Sequence, residues 1–416
     1  MPSLLQSHLP HHHRTPRLRR LAVVATAAIA AVTPSVFALA PANAAAVAAV
    51  APTSPPPLTV LTSHAAVGNG DFFITPGGGA YAAGPEIVSP SGKVVWFHAI
   101  PQGQTAGDFQ VQRYDGRPVL TWWQGTGFGG LSSGTDYIYN DHYQQIAEVH
   151  AGDGLTTDGH EFLITPWNTA ITLSFTTATA NLSSIGGPAD QTVIDGVVQE
   201  VDIATGKVLW QWNSADHVAY SASEQPLPAS ASTPWDWFHI NAVHFDTDGN
   251  LLIDARNTWT AYKVDAHTGK IIWQLGGKDS SFKLRAAPGQ SLDEAGEIFA
   301  WQHDPEALGN DEYTVFDDES SGGTPENAVS RVVTVRLDPH SHVATLIRSV
   351  DQPEGLVATS QGNGQTTVAG DLVVGWGALP YFSEFSASGK LLYNAEFPPG
   401  VNTYRAYQFP WPPSHA

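Results

Sequence analysis

Three histidines stand in similar settings far apart in the chain: Asp158-Gly159-His160-Glu161, Trp237-Phe238-His239-Ile240-Asn241 and Trp301-Gln302-His303-Asp304. Imidazole is the side chain that donates, accepts or attacks near neutral pH. Counting brings a guanidinium to them. Thr247-Asp248-Gly249-Asn250 is a hairpin turn signal, and Arg256 lies as far after it as His239–Asn241 lies before it. Antiparallel pairing then sets Arg256 beside His239 and Asn241. Strand alternation puts His239 and Asn241 on one side of their strand, with His244 on the other. Three imidazoles, one guanidinium and one amide donor suit a compact tetrahedral anion, because the guanidinium fork matches oxyanions. A three-histidine metal centre is the competing reading. The arginine in the same mouth would repel a cation, so no metal is expected. A single strand histidine is ordinarily a hydrogen-bonded structural group; three at matching positions point to a shared task. His98, His142, His244, His267, His340 and His342 keep the structural reading.

Convergence of distant residues requires an architecture that aims several strands at one axis. A short polar turn followed by a hydrophobic burst recurs as Ser91-Gly92-Lys93-Val94-Val95-Trp96, Thr205-Gly206-Lys207-Val208-Leu209-Trp210, Thr268-Gly269-Lys270-Ile271-Ile272-Trp273 and Ser388-Gly389-Lys390-Leu391-Leu392-Tyr393. Worn copies lie around Asp141–Val149 and Asp338–Ile347. Helical periodicity is almost absent, and short strand-like runs alternate with Gly, Pro, Asn and Asp turns. The repeat predicts an all-β, six-bladed β-propeller over residues 58–416. Inner strands are expected to start near Asp108, Asp158, Phe238, Ala300 and Ser360. The first blade lacks one, and Asn402–Trp411 is expected to supply it, closing the ring and removing both exposed edges. Arg405 would then reach the mouth from the opposite wall. Segments 178–196, 217–235, 278–298 and 317–330 read as loops stacked over one face. The repeat tryptophans Trp96, Trp210 and Trp273 read as packing between blades, whereas Trp122, Trp123, Trp237, Trp301 and Trp376 lie nearer the mouth.

Residues 1–44 read as an export signal. Four arginines precede the apolar run Leu21–Val32, and Ala42-Asn43-Ala44 is a small-x-small cleavage site. Arg19-Arg20 leaves the choice between general and twin-arginine export open. The apolar run is too short for a comfortable membrane span. Residues 45–57, rich in Ala, Val and Pro, read as a linker. The expected mature protein is therefore secreted, without a membrane span. It has no cysteine, so a large core rather than disulfides must carry its stability. The formal charge of −20 becomes more negative once the arginine-rich leader is gone, which disfavours nucleic acid and anionic membranes as partners.

At Phe238-His239-Ile240-Asn241, Ala255-Arg256-Asn257, Trp301-Gln302-His303-Asp304, Tyr404-Arg405 and Pro410-Trp411 the chain resembles the arylsulfotransferase family, exported six-bladed propellers that move a sulfuryl group between phenols. The resemblance implies His303 as a nucleophile that becomes transiently sulfated. It implies His160, His239, Asn241 and Arg256 as groups that hold the sulfuryl oxygens and assist the leaving phenolate. Arg405 joins them as a candidate substrate-binding residue. It also implies an aryl sulfate donor, a phenolic acceptor and no diffusible cofactor. The chain differs from the better-known members in lacking a sizeable β domain before the propeller and a cysteine pair.

Two other readings share the same architecture. Val201-Asp202 through Trp210 and Val264-Asp265 through Trp273 also resemble the blade signature of quinoprotein dehydrogenases, which typically have eight blades, a quinone and calcium. Six repeats and the lack of a calcium cluster speak against that reading. A propeller that binds a glycan or protein without chemistry is the third, since one fold hosts many functions.

Overall fold

The repeat turns explain the blades. In the third and fourth copies the carboxylates of Asp202 and Asp265 accept from the amide and hydroxyl of Thr205 and Thr268. Gly206 and Gly269 follow in the left-handed region at φ 69° and 71°. This closes a tight turn between the third and fourth strands of a blade. The worn copies use the same device with other residues. Asp338 caps Ser341, Asn140 caps His142 and Gln144, and His342 and Tyr143 take the left-handed position.

The computed structural model describes residues 52–127, 131–323 and 329–411. The expected export signal and the first residues of the linker lie outside the described residues. Six antiparallel sheets form the six blades of a β-propeller. From the inside out, the first blade is Asn402–Phe409, Asp71–Gly77, Glu86–Val88 and Val94–Phe97. The C-terminal strand thus pairs with Asp71–Gly77, in register Phe73↔Tyr407, and closes the ring as expected. Inner strands of the second to sixth blades are Thr105–Tyr114, Phe162–Ile164, Ile240–Phe245, His303–Gly309 and Asn363–Thr366.

Three of the expected face loops are instead partly sheet. Segment 178–196 extends a hairpin of two long strands, Thr169–Ala180 and Gln191–Asp202, paired from Thr169↔Asp202 to Ala180↔Gln191. Trp235–Asp236 pairs with Val193 and Ile194 of that hairpin. Lys283–Ala286 runs parallel to Val343–Leu346 and adds an outer strand to the fifth blade. Thr59–Ser63 likewise adds an outer strand to the sixth blade beside Leu391–Glu396. Part of segment 317–330 lies outside the described residues.

Aromatic side chains fill the wedges between blades. Trp212 packs on Phe238 of the next blade (6.0 Å between centroids) and donates its indole N–H to the Gly269 carbonyl (3.0 Å). Phe238 in turn meets Tyr262 at 5.6 Å. Truncating such a buried aromatic to alanine typically costs about 3–5 kcal/mol. Trp122, Trp123, Trp237 and Trp376, expected nearer the mouth, belong to this buried packing. Trp301 is buried as well, against Trp259 and Ala300, and its ring also carries the Arg256 guanidinium (5.1 Å).

Candidate active site

Inner strands begin with kinks that re-aim their first side chains. Asp108, His239, Trp301, Asp304 and Gln361 all adopt positive φ, between 51° and 71°. Non-glycine residues in this region cost energy and gather where function over-determines them. Bulges follow at Gly107/Gln110, Ile240/Ala242 and His303/Glu306. Such irregularities turn the strand tips toward the axis.

The histidines converge there. The rings of His160 and His239 meet edge to face at 5.2 Å, and Phe175 touches both. His303 is 1% exposed, and after burial the charges acting on it come from Arg256, His160, His239 and Arg405. Its pKa is held well below the ordinary histidine value, by burial first and by those cations second. His303 is therefore neutral at pH 7.

Each imidazole rests on a carboxylate through the same nitrogen. His303 Nδ1 meets Asp318 Oδ2 at 2.7 Å. His160 Nδ1 contacts Asp158, and His239 Nδ1 contacts Asp236. The pairs differ in access to solvent: side-chain exposure is 27% for Asp236 but 1% for Asp158 and 0% for Asp318. On the far side of His303, the Gln361 backbone N–H donates to Nε2 at 3.2 Å. Gly377 permits this loop, since a Cβ there would fall 2.3 Å from the Ser360 oxygen and 2.7 Å from the Gln361 carbonyl carbon.

Arg256 follows the second strand of its blade, in a single 3-10 turn. Its backbone N–H bonds the His239 carbonyl (3.0 Å), the pairing that hairpin counting anticipated. Nη2 donates to the carbonyls of Thr359 (3.0 Å) and Ser320 (3.4 Å), which flank Gln361 and Asp318 in sequence. Nε is buried without a hydrogen-bond partner among the described residues. None of these bonds goes to a carboxylate, although Asp318, Asp236 and Asp254 lie close enough to act on the guanidinium through their charge. A recess of about 260 Å³ opens between Gln361 and Tyr404, lined also by Thr75, Ala83, Thr105 and Asn402. Tyr404 stands edge-on to His160 at 5.9 Å.

Two residues expected at the mouth are engaged elsewhere. The Asn241 amide donates to the Gln302 carbonyl (2.8 Å), because the bulge at this position breaks the alternation that would have paired it with His239. Arg405 is 1% exposed and donates to Glu161 (2.8 Å), Asp108 (3.2 Å), the Tyr407 hydroxyl (3.1 Å) and the Asn241 carbonyl (3.2 Å). Both brace the channel walls, and substrate binding by them gives way to that role. His244 keeps a structural role, but on the other side of its strand from the one alternation predicts. The same bulge turns it onto Asp304 (3.0 Å) and Glu161 (3.2 Å), which raise its pKa well above the ordinary value against the cost of burial. Glu161, His244 and Asp304 have metal-ligand chemistry. The Arg405 guanidinium already lies 2.8 Å from Glu161 and 3.4 Å from Asp304, and would oppose a cation.

The carboxylates Asp158, Asp236 and Asp318 were missed by sequence reasoning. Two carried a visible signal, lying two and three residues before His160 and His239. Asp318 was reachable only through the hairpin register that pairs His303 with Phe316.

Comparison with solved structures finds weak likenesses that carry no argument here. A protein of unknown function from Bacteroides caccae aligns at TM-score 0.48 and 12% identity, over 82% of this chain and 99% of that one. A catalytically inactive variant of virginiamycin B lyase from Staphylococcus aureus aligns at 0.35 and 9%, over 82% and 88%. Kuenenia stuttgartiensis hydrazine synthase aligns at 0.38 and 12%, over 82% and 79%. Curated proteins give no match. The sequence profile described as Arylsulfotransferase (ASST) matches residues 110–398, which span four of the six inner-strand starts and all three histidine–aspartate pairs. By that match, over more than half its length, the chain belongs to the arylsulfotransferase family.

Proposed function

We propose that this propeller transfers a sulfuryl group from an aryl sulfate to a phenol through a sulfated His303. The observation that carries the reading is the neutral, buried imidazole of His303, set near a guanidinium whose side-chain hydrogen bonds, among the described residues, go to carbonyl and amide oxygens and not to a carboxylate. Sulfuryl transfer is treated as phosphoryl transfer is: a loose, in-line transition state with charge on the equatorial and leaving oxygens. Catalysis then asks for positioning and fixed donors.

In the first half-reaction the Nε2 lone pair of His303 forms the N–S bond while the S–O(aryl) bond breaks. Arg256 takes up charge on the sulfuryl oxygens. The Gln361 N–H, which points at Nε2 before reaction, is within reach of a sulfuryl oxygen once that nitrogen is bonded. The leaving phenolate collects a proton from a second imidazole. His239 is favoured for this over His160, because its Asp236 partner is the carboxylate open to solvent and can exchange protons between turnovers. In the second half the acceptor phenol returns its proton to that imidazole, its oxygen bonds sulfur, and the N–S bond breaks. The kinetics are ping-pong. The recess beside Gln361 and Tyr404 offers an uncharged lining for an aryl ring. The arginine-rich leader supports a secreted protein. Among the described residues no helix is long and apolar enough to cross a membrane.

Incubation with 4-nitrophenyl sulfate and a phenol tests the reading. Release of nitrophenolate with formation of the acceptor's sulfate ester, both abolished in His303→Ala, is expected. Absence of turnover with a panel of aryl sulfates favours a binding propeller without chemistry.

A further inference from the structure

We propose that Asp318 is the positioning residue that decides which nitrogen of His303 reacts, by holding the ring as its Nδ1–H tautomer. The inference rests on the sulfuryl-transfer reading above, and it adds a residue that neither the family match nor the sequence assigns.

The tautomer follows from donors and acceptors. A backbone amide can only donate, so the Gln361 N–H at 3.2 Å requires a lone pair on His303 Nε2. A neutral imidazole with an unprotonated Nε2 carries its proton on Nδ1. That proton points at Asp318 Oδ2, 2.7 Å away. Oδ2 is thus an acceptor whatever the charge of the carboxyl group. Two opposed partners, one on each ring nitrogen, clamp the imidazole plane, and the Nε2 lone pair becomes free to attack when the Gln361 N–H turns from it to a sulfuryl oxygen.

Asp318 has little structural reason to be there. Its carboxyl group is fully buried, and Oδ1 has no hydrogen-bond partner among the described residues. Burial pushes its pKa well up, opposed first by Arg256. The surrounding chain is held by other bonds: Ser330 Oγ donates to the Asp318 carbonyl (2.7 Å), and Glu319 N–H to the Ala300 carbonyl (3.0 Å). A buried carboxyl group with one side-chain partner is a cost to the fold. The contact with His303 is what that cost maintains.

The chemistry gives the contact a second use. When neutral His303 bonds sulfur through Nε2, the ring becomes formally cationic while its proton stays on Nδ1. Asp318 accepts the Nδ1–H hydrogen bond, now stronger and charge-assisted, so the stabilisation grows as the N–S bond forms. It reverses when the phenol takes the sulfuryl group and the ring returns to neutral. The equivalent pairs His160–Asp158 and His239–Asp236 bind through the same nitrogen, so the mouth is built from three imidazoles held one way.

Asp318→Asn tests this. The amide is nearly isosteric and can offer an N–H to Nδ1, which shifts the ring to its Nε2–H tautomer and blocks attack. The expected result is a kcat lower by about 10²–10⁴-fold, the range of orienting and proton-placing groups, with KM within about threefold and thermal stability unchanged or raised. Long-range 1H–15N spectra, with His303 assigned by difference against His303→Ala, should show Nε2 unprotonated in the wild type and protonated in Asp318→Asn. The wild-type spectrum alone keeps the proposal testable if the variant fails to fold. A proton on Nε2 in the wild type overturns the proposal, as does an Asp318→Asn enzyme with kcat within about threefold of wild type. If the tautomer shifts as described but the wild type never transfers a sulfuryl group, the sulfuryl-transfer reading fails while the positioning of His303 stands.

Discussion

Replacing Arg256 separates geometry from charge at the mouth. The guanidinium lies over the Trp301 ring at 5.1 Å and is oriented by two carbonyls and the Asn257 side chain, with Nε left without a partner among the described residues. Arg256→Lys keeps the charge but loses the planar fork and the stacking. Losing one preorganised oxyanion donor costs about 3–4 kcal/mol in the transition state, or about 10²–10³ in kcat. The stacking loss of about 1 kcal/mol falls on stability instead. Arg256→Met loses the charge as well. Arg256 is the largest charge contribution lowering the His303 pKa, so its removal lets that pKa rise. Attack needs the neutral ring, so the acid limb of the pH–rate profile should move toward neutral pH in Arg256→Met and stay in place in Arg256→Lys. The assay is initial-rate release of nitrophenolate, read in quenched samples across pH 4–8. A kcat within about threefold of wild type in both variants, or an acid limb that moves equally in both, refutes the assignment of Arg256 to the sulfuryl oxygens.

Other outcomes follow from the same structure. His239→Ala should slow donors with poor phenolate leaving groups by about 10²–10⁴-fold and 4-nitrophenyl sulfate far less, because only the former need a proton on departure; a plot of rate against leaving-group pKa reads this directly. Arg405→Met should cost about 3–5 kcal/mol in a urea melt, since Asp108, Glu161 and Asp304 lose a buried partner. Glu86 is buried, and its pKa is raised from 4.5 to about 8 by loss of water. Between those values the folded protein keeps a proton that the unfolded chain has released, so stability falls as pH rises, by about 1.4 kcal/mol per pH unit from this group. Glu86→Gln should flatten that slope in melts at pH 5, 7 and 9.

The sequence carried the architecture because the turn chemistry is local. Asp202 with Thr205 and Asp265 with Thr268 build their turns from residues three apart, and Gly206 and Gly269 supply the left-handed step. Closure by the last strand was legible too, as Asp71–Gly77 otherwise has no inner neighbour. The histidine mouth followed from blade positions, and Arg256 from counting across one turn. Failures share a physical origin. Period-two alternation holds only along an unbroken ladder, and the bulge at Ile240/Ala242 shifts everything beyond it. That displaced Asn241 toward Gln302 and brought His244 to Asp304 and Glu161. Arg405 was anticipated as a ligand-facing cation, but acids from the second, third and fifth blades meet it in the closed channel. Tertiary pairing of this kind leaves no mark at short range, and Asp318 was hidden for the same reason.

Rapid quenching of the protein with 4-nitrophenyl sulfate in the absence of acceptor, followed by peptide mapping under alkaline conditions, addresses the central claim most directly. The account predicts a burst of nitrophenolate equal to the enzyme concentration and one sulfuryl group on the peptide that contains His303, discharged when a phenol is added. No burst, or a sulfuryl group carried on another residue while His303→Ala still turns over, would contradict it.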